Sequence, residues 1–250
     1  MTAQKRPATA VVLLSGGMDS ATALAVARQH FRRVACLTVI YGQRHRREIR
    51  SARRLATHFR IAHHEILQVP LGPLLRSALT DAQRSLPRAH IGRKPGRIPA
   101  TYVPARNTIF LSIALGYAES IGAEAIYIGA NAIDYSGYPD CRPEYFRAFE
   151  HLARLATRAG VERGQAVRIE TPLLRLSKAD IVRLGERLRV PWEMTWSCYA
   201  GGRTPCGRCA SCALRARGFA EAGIPDPLTA PAHIRSRRSS PRKSSVFPSV

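Results

Sequence analysis

The chain has 250 residues, 39 Lys+Arg against 17 Asp+Glu, and a formal net charge of +22 at pH 7. Such a length supports one sizeable core with a small appendage, and no apolar run reaches the roughly 18 residues of a membrane span. Six cysteines, four of them clustered near the end, are not a disulfide scaffold and point to metal or thiol chemistry in a reducing compartment.

The basic start MTAQKRPATA leads into an apolar run that stops at Ser15-Gly16-Gly17, too soon for a secretion signal, so a cytoplasmic protein is expected. That run, AVVLL (10–14), reads as a buried strand, and MDSATALAVARQH (18–30) as the helix after it. RVACLTVIY (33–41) reads as a second strand. HRREIRSARRLATHF (45–59) spaces Ile49, Ala52, Leu55, Ala56 and Phe59 as a helix does. HHEILQV (63–69) is a third strand. Residues 70–104, with six prolines and the basic stretch GRKPGR, break the pattern and read as an excursion over the mouth of a site.

RNTIFLSIALGYAESIG (106–122) predicts a largely apolar helix and AEAIYIGA (123–130) a fourth strand. PEYFRAFEHLARLATRAG (143–160) predicts a helix begun by Pro and ended by Gly. VRIETPL (167–173) is a fifth strand, and SKADIVRLGERL (177–188) a helix whose Ser177 and Asp180 resemble a capping box. Strand–helix alternation of this kind implies an α/β fold, a doubly wound parallel sheet with helices on both faces in three layers. The domain reading is an α/β unit over 1–190, a cysteine segment over 191–232, and a tail over 233–250 rich in Ser, Arg and Pro that is expected to be disordered. The last 18 residues hold five basic residues and no acid, leaving 34 basic against 17 acidic in the body. A basic body favours anionic partners such as nucleotides, phosphates or RNA. An evenly spread arginine bias of composition accounts for the excess equally well.

In doubly wound sheets ligands bind beyond the carboxyl ends of the strands, so the loops at 15–20, 41–45 and 130–142 carry the interest. In the first, LSGGMDS, glycine amides and the next helix's positive end suit an anion. The Walker spacing G-x-x-x-x-G-K-[ST] is absent. Gly16 and Gly17 allow close approach, Ser15 and Ser20 can donate hydroxyls, and Asp19 suits Mg²⁺ binding or ordering of the loop. Cys198, Cys206, Cys209 and Cys212 read C-x7-C-x2-C-x2-C, a spacing for one closed structural Zn²⁺, with an iron–sulfur cluster as the other reading. Cys36, inside VACLTVI, reads as a core residue; Cys141 is either chemical or structural.

SGGMDS resembles the S-G-G-x-D-S loop of the N-type ATP pyrophosphatases, the PP-loop superfamily. With YGQRHRREI (41–49), YVPARN (102–107), DYSGYPDCR (134–142), ETPL (170–173) and C…CGRCASC, the chain from about residue 10 to 218 resembles the 7-cyano-7-deazaguanine synthase family. The resemblance implies a ligase that uses ATP to turn 7-carboxy-7-deazaguanine and ammonia into an amide and then a nitrile, in queuosine and related 7-deazapurine biosynthesis. It implies ATP, Mg²⁺ and Zn²⁺, homodimer pairing, and no need for nucleic acid; a PP-loop enzyme that thiolates or amidates tRNA is the alternative. A third class, a non-catalytic zinc module binding nucleic acid through the tail, is also weighed.

On this resemblance the ATP segment is Leu14, Ser15, Gly16, Gly17, Met18, Asp19, Ser20, Ala21, Thr22, Ala23 and Leu24, with Tyr41, Gln43, Arg44 and His45 toward the adenosine. Asp19, Ser20, Arg106 and Lys178 are the expected catalytic groups. The substrate pocket is expected from Arg106, Asn107, Asp134, Tyr135, Ser136, Gly137, Tyr138, Asp140 and Arg142, with carboxylates on the guanine-like edge and a tyrosine ring stacked on it. The zinc ligands are the four clustered cysteines. One departure is Ala105, where the family pattern commonly has Gly.

Overall fold

The computed structural model describes residues 8–81, 83–87, 98–133, 138–165 and 167–229. Five parallel strands form one sheet: β1 (Thr9–Leu13), β2 (Arg33–Ile40), β3 (His63–Gln68), β4 (Ala125–Ile128) and β5 (Arg168–Glu170). Among the described residues seven α-helices accompany it: α1 (Met18–His30), α2 (Arg47–His58), α3 (Arg106–Ser120), α4 (Pro143–Ala156), α5 (Arg158–Arg163), α6 (Lys178–Arg187) and α7 (Ala210–Ala222). The strand order is β3-β2-β1-β4-β5, with Val11 paired to Ala35 on one side and Ile126 on the other. The chain winds outward from β1 to β3, then returns to lay β4 against β1. The winding reverses there, and such a reversal opens a crevice at the strands' carboxyl ends.

All five β1 residues are buried, as a strand covered on both faces requires. Alternation along the strands divides the core. Val11, Leu13, Leu37, Val39, Ile126 and Ile128 pack with apolar side chains of α3 and α4. Ala10, Val12, Leu14, Cys36 and Tyr127 pack with those of α1, α2 and α7. The architecture is the expected three-layer sandwich, and Cys36 is a core residue whose thiol burial pushes up to about 12. Among the described residues no helix is long and apolar enough to cross a membrane.

Three local readings change. The helix expected over 143–160 breaks at Thr157, which takes an extended conformation; its hydroxyl donates to the Ala153 carbonyl (2.8 Å) and accepts from Gly160 N (3.2 Å). It thereby ends α4 and caps α5, and the terminating glycine is Gly164 at φ 65° rather than Gly160. The cysteine segment contains α7, which the cysteine spacing had masked. The segment is also no separate unit, because Trp192 and Phe219 share a core cluster with Val12 and Leu24. The described parts of the excursion are pinned: Ala78 N donates to the Ala100 carbonyl (3.0 Å), and Leu79 and Val103 are buried. The stretch GRKPGR and the tail 233–250 lie outside the described residues.

Candidate active site

A cleft of about 220 Å³ lies at the carboxyl ends of β1, β2 and β4, where the sheet's winding reverses. The glycine loop forms its floor. Ser20 Oγ closes the turn by donating to the Gly17 carbonyl (3.0 Å) and accepting from Ser15 N (3.2 Å). Gly16, at φ 89°, presses against α2 so closely that a Cβ would lie 2.1 Å from the Glu48 carbonyl oxygen. Gly17 is the N-cap of α1, with no side chain capping the helix, so its first N–H groups face the cleft's floor, where an anion is stabilised.

Lys178, the first residue of α6, reaches this floor. Its Nζ donates to both Asp19 oxygens, at 2.9 and 3.0 Å, with the lysine only 3% exposed. Ser177 Oγ accepts from Asp180 N (3.1 Å) and fixes the start of α6, as the S-x-x-D spacing predicts. The ion pair joins Asp19, in the first turn of α1, to the start of α6, which packs beside α1 on the same face of the sheet.

On the opposite wall Arg106 opens α3 and donates to the Tyr41 hydroxyl (3.2 Å), its guanidinium lying 5.7 Å from the ring centroid. Burial raises the Tyr41 phenol above its ordinary range. The residue before Arg106 is Ala105, held left-handed at φ 50°, so the departure from glycine sits where a Cβ is strained. Asp140 Oδ2 accepts from Asn107 N (2.9 Å), and Asn107 Nδ2 donates to the Asp140 carbonyl (2.8 Å) and to Cys141 Sγ (3.4 Å). Burial and Asp140 push the Cys141 thiol up to about 12 where it borders the cleft.

The cleft thus gathers Leu14, Ser15, Gly17, Met18, Asp19, Ser20, Tyr41, Gln43, Arg44, His45, Arg106, Asn107, Tyr138 and Lys178 from the sequence-predicted set. Others it does not gather. Ala21, Thr22, Ala23 and Leu24 have no exposed surface and pack α1 against its neighbours. Gly16 serves the loop's shape. Asp140 is turned inward to cap α3, and Arg142 is a surface residue facing Glu144 at 3.4 Å. Asp134, Tyr135, Ser136 and Gly137 lie outside the described residues. Tyr138 is buried, its hydroxyl bonded to Thr101 (2.7 Å) and its ring tilted toward Tyr102 at 5.6 Å.

Sequence reasoning passed over Glu48, Phe110, Tyr199 and Arg215, which also line the cleft. Phe110 and Tyr199 carried no signal. Glu48 carried one: it is the only acid between Asp19 and Glu65, inside an arginine-rich stretch. Burial pushes its carboxyl up to about 7, with Arg106 opposing.

The four clustered cysteines converge, all four sulfurs lying within 4.8 Å of one another and Cys206 and Cys212 at 4.0 Å. Zn–S bonds of about 2.3 Å in a tetrahedron place sulfurs roughly 3.8 Å apart. One ion therefore fits, whereas a four-iron cluster binds each thiolate to a different iron and spreads them. Cys198 Sγ accepts from Ala200 N (3.4 Å) and Cys206 N (3.3 Å), as a thiolate ligand would. Gly207 at φ 70° makes the turn in CGRC, and Cys209 and Cys212 sit at the start of α7. His45 packs against this segment at Gly201, and burial, with the charges of Arg47 and Arg44, lowers its pKa.

Residues 9–223 match the family model described as queuosine biosynthesis protein QueC. A 7-cyano-7-deazaguanine synthase of Anaeromyxobacter sp. (strain Fw109-5) is 57% identical over 227 residues, covering 89% of this chain and 97% of that protein. Another, of Thermoplasma acidophilum, is 54% identical over 88% of this chain and 90% of that protein. Among solved structures, the U34-tRNA thiolase NcsA of Methanococcus maripaludis superposes with a TM-score of 0.47 at 15% identity, covering 87% of this chain and 66% of that one.

Proposed function

The chain belongs to the QueC family of queuosine biosynthesis proteins, and from that premise we propose the ATP-dependent reaction its cleft performs. The substrate is 7-carboxy-7-deazaguanine and the product 7-cyano-7-deazaguanine. One activation by ATP lets ammonia displace the carboxylate oxygen to give an amide; a second removes the amide oxygen to give the nitrile. The carrying observation is the floor of the cleft, where the first N–H groups of α1 and the Lys178–Asp19 pair meet at the reversal of the sheet. A nucleotide's pyrophosphate is an anion that helix end and that lysine suit, and it is the leaving group of both activations.

In this reading Tyr41, Gln43, Arg44 and His45 border the adenosine. Arg106 holds the substrate carboxylate or the phosphate beside it, which a guanidinium does bidentately. Tyr138 and Asn107 border the deazapurine. Both Asp19 oxygens accept from Lys178 Nζ, so a Mg²⁺ brought in by the nucleotide would neutralise phosphate charge beside this pair. Zn²⁺ is the ion for Cys198, Cys206, Cys209 and Cys212; a closed four-thiolate site leaves no position for substrate and serves folding. Cytoplasmic location and homodimer pairing belong to the same reading.

Thiolation of tRNA is disfavoured by the cysteines themselves. It needs a reactive thiol, whereas four of the six converge on one metal position and burial pushes Cys36 and Cys141 up to about 12. A non-catalytic module leaves the cleft unexplained. The test is a mass-spectrometric assay of the zinc-loaded protein with the 7-carboxy compound, ATP and ammonia. The nitrile, AMP and pyrophosphate are expected; their absence sinks the proposal.

A further inference from the structure

Both nitrogen steps of that reaction release protons. When ammonia displaces AMP from the activated carboxylate, the C–O bond to AMP breaks, the C–N bond forms, and the nitrogen sheds a proton. When the activated amide becomes the nitrile, the second C–O bond breaks, the oxygen leaves on AMP, and nitrogen gives up its remaining protons as its electron pairs complete the triple bond. A group in the cleft has to accept them.

Few groups there are able to. Asp19 is bonded through both oxygens to Lys178. Arg44, Arg106 and Arg215 are cations. Tyr41 and Cys141 are pushed upward by burial and hold their protons at neutral pH. His45, beside Arg44 and Arg47, is a weakened base. Glu48 differs. It projects from the first turn of α2 into the cleft, and its own carbonyl oxygen abuts Gly16 of the phosphate-binding turn. Its carboxylate makes no hydrogen bond or ion pair with the described residues, and Arg106 and Tyr41 are the charged and titratable groups that bear on it. A half-buried carboxylate that opens into the cleft, held by no structural hydrogen bond and next to the turn assigned to the departing pyrophosphate, is placed to exchange protons there.

We propose that Glu48 is the proton acceptor of the two nitrogen steps, a catalytic residue for amide formation and for nitrile formation. The proposal depends on the reaction assigned above. The placement of its pKa near the operating pH suits the task, since an acceptor near neutrality is ionised and still returns its proton to water.

The test compares Glu48→Gln and Glu48→Asp with the wild type, all zinc-loaded and checked for folding by thermal melting. Activation is read by pyrophosphate exchange into ATP that depends on the 7-carboxy substrate. The nitrogen steps are read as amide from ammonia and as nitrile from isolated amide. Glu48→Gln should keep exchange within about threefold and lose roughly 10²- to 10³-fold in both nitrogen steps, with Glu48→Asp in between. Wild-type nitrile formation from the amide should rise with pH and level off above about 7, and Glu48→Gln should lack that rise. Equal loss of exchange in Glu48→Gln would make Glu48 a ligand for nucleotide, metal or substrate and overturn the proposal. So would nitrile formation within threefold of wild type. A wild-type protein that exchanges pyrophosphate but makes neither amide nor nitrile overturns the assigned reaction, and Glu48's role with it.

Discussion

Removing Arg215 should destabilise the protein far more than removing both Arg215 and its partner. Arg215 of α7 donates to Asp226 through two bonds, 2.7 and 2.8 Å, and to Thr195 Oγ1 at 2.7 Å. Each side chain of the pair is 4% exposed. Arg215→Met strands the buried Asp226 carboxylate without its cation, a loss of about 3–5 kcal/mol. For a chain of this size that lowers Tm by roughly 6–20 °C. Replacing both, Arg215→Met with Asp226→Leu, removes two desolvation costs together and should recover most of the loss. Thermal unfolding followed by circular dichroism, at fixed zinc, measures all three variants. A single variant within about 1 kcal/mol of wild type refutes the reasoning, as does a double variant as unstable as its two singles added together.

Chelating the metal should release one ion per chain and lower Tm, because the four thiolates close the start of α7 onto the 198–206 loop; a chelator titration that leaves the melting curve unmoved would show that the cysteines hold nothing structural. Ala105→Gly relieves a left-handed alanine at φ 50° and should stabilise by about 1 kcal/mol, read as a higher urea midpoint; an unchanged or lower midpoint counts against strain at that turn. Glu48 has a folded pKa of about 7 against an ordinary 4.5. A raised carboxyl gives stability that is fully present below the unfolded pKa and lost as pH rises through the folded one. The wild type should therefore weaken between about pH 4.5 and 7, and Glu48→Gln, which carries no charge to desolvate, should be more stable at pH 8 by about 1–3 kcal/mol. Identical pH dependence in the two proteins would remove the burial argument.

The sheet was legible because parallel strands covered on both faces are written as short apolar runs, and AVVLL is buried throughout. The glycine turn was legible because its shape needs glycine where φ is positive, at Gly16. Other features depend on distant partners that no local spacing encodes. Thr157 breaks a helix whose periodicity runs on past it. Ala21 to Leu24 look like an extension of the ATP loop, yet the helical turn rotates them into the core. Asp140 sits in a loop at a strand's carboxyl end, the place for a ligand, and spends its carboxylate on the α3 N-terminus. Glu48 has the sequence context of a solvated charge, and only the approach of α2 to Gly16 brings it to the cleft.

The cysteine segment shows the same principle at larger scale. In sequence it reads as an appendage beyond the last helix of an α/β unit. In space it touches the floor of the cleft at several points. Trp196 N donates to the Gly16 carbonyl at 2.9 Å, holding the turn in its positive-φ shape. Gly218 of α7 packs on the Lys178 stem, where a Cβ would lie 2.4 Å from Cγ, which keeps the lysine extended toward Asp19. Gly201 packs against His45 equally closely. An ion held by the four cysteines would contribute no chemistry of its own, but it would fix the loop and helix that supply these contacts. The metal's influence on turnover should therefore pass through the shape of the phosphate turn and the reach of Lys178. Metal loss should weaken pyrophosphate exchange before it unfolds the sheet, and a protein that loses exchange only in step with global unfolding would show that the segment stabilises the fold without tuning the site.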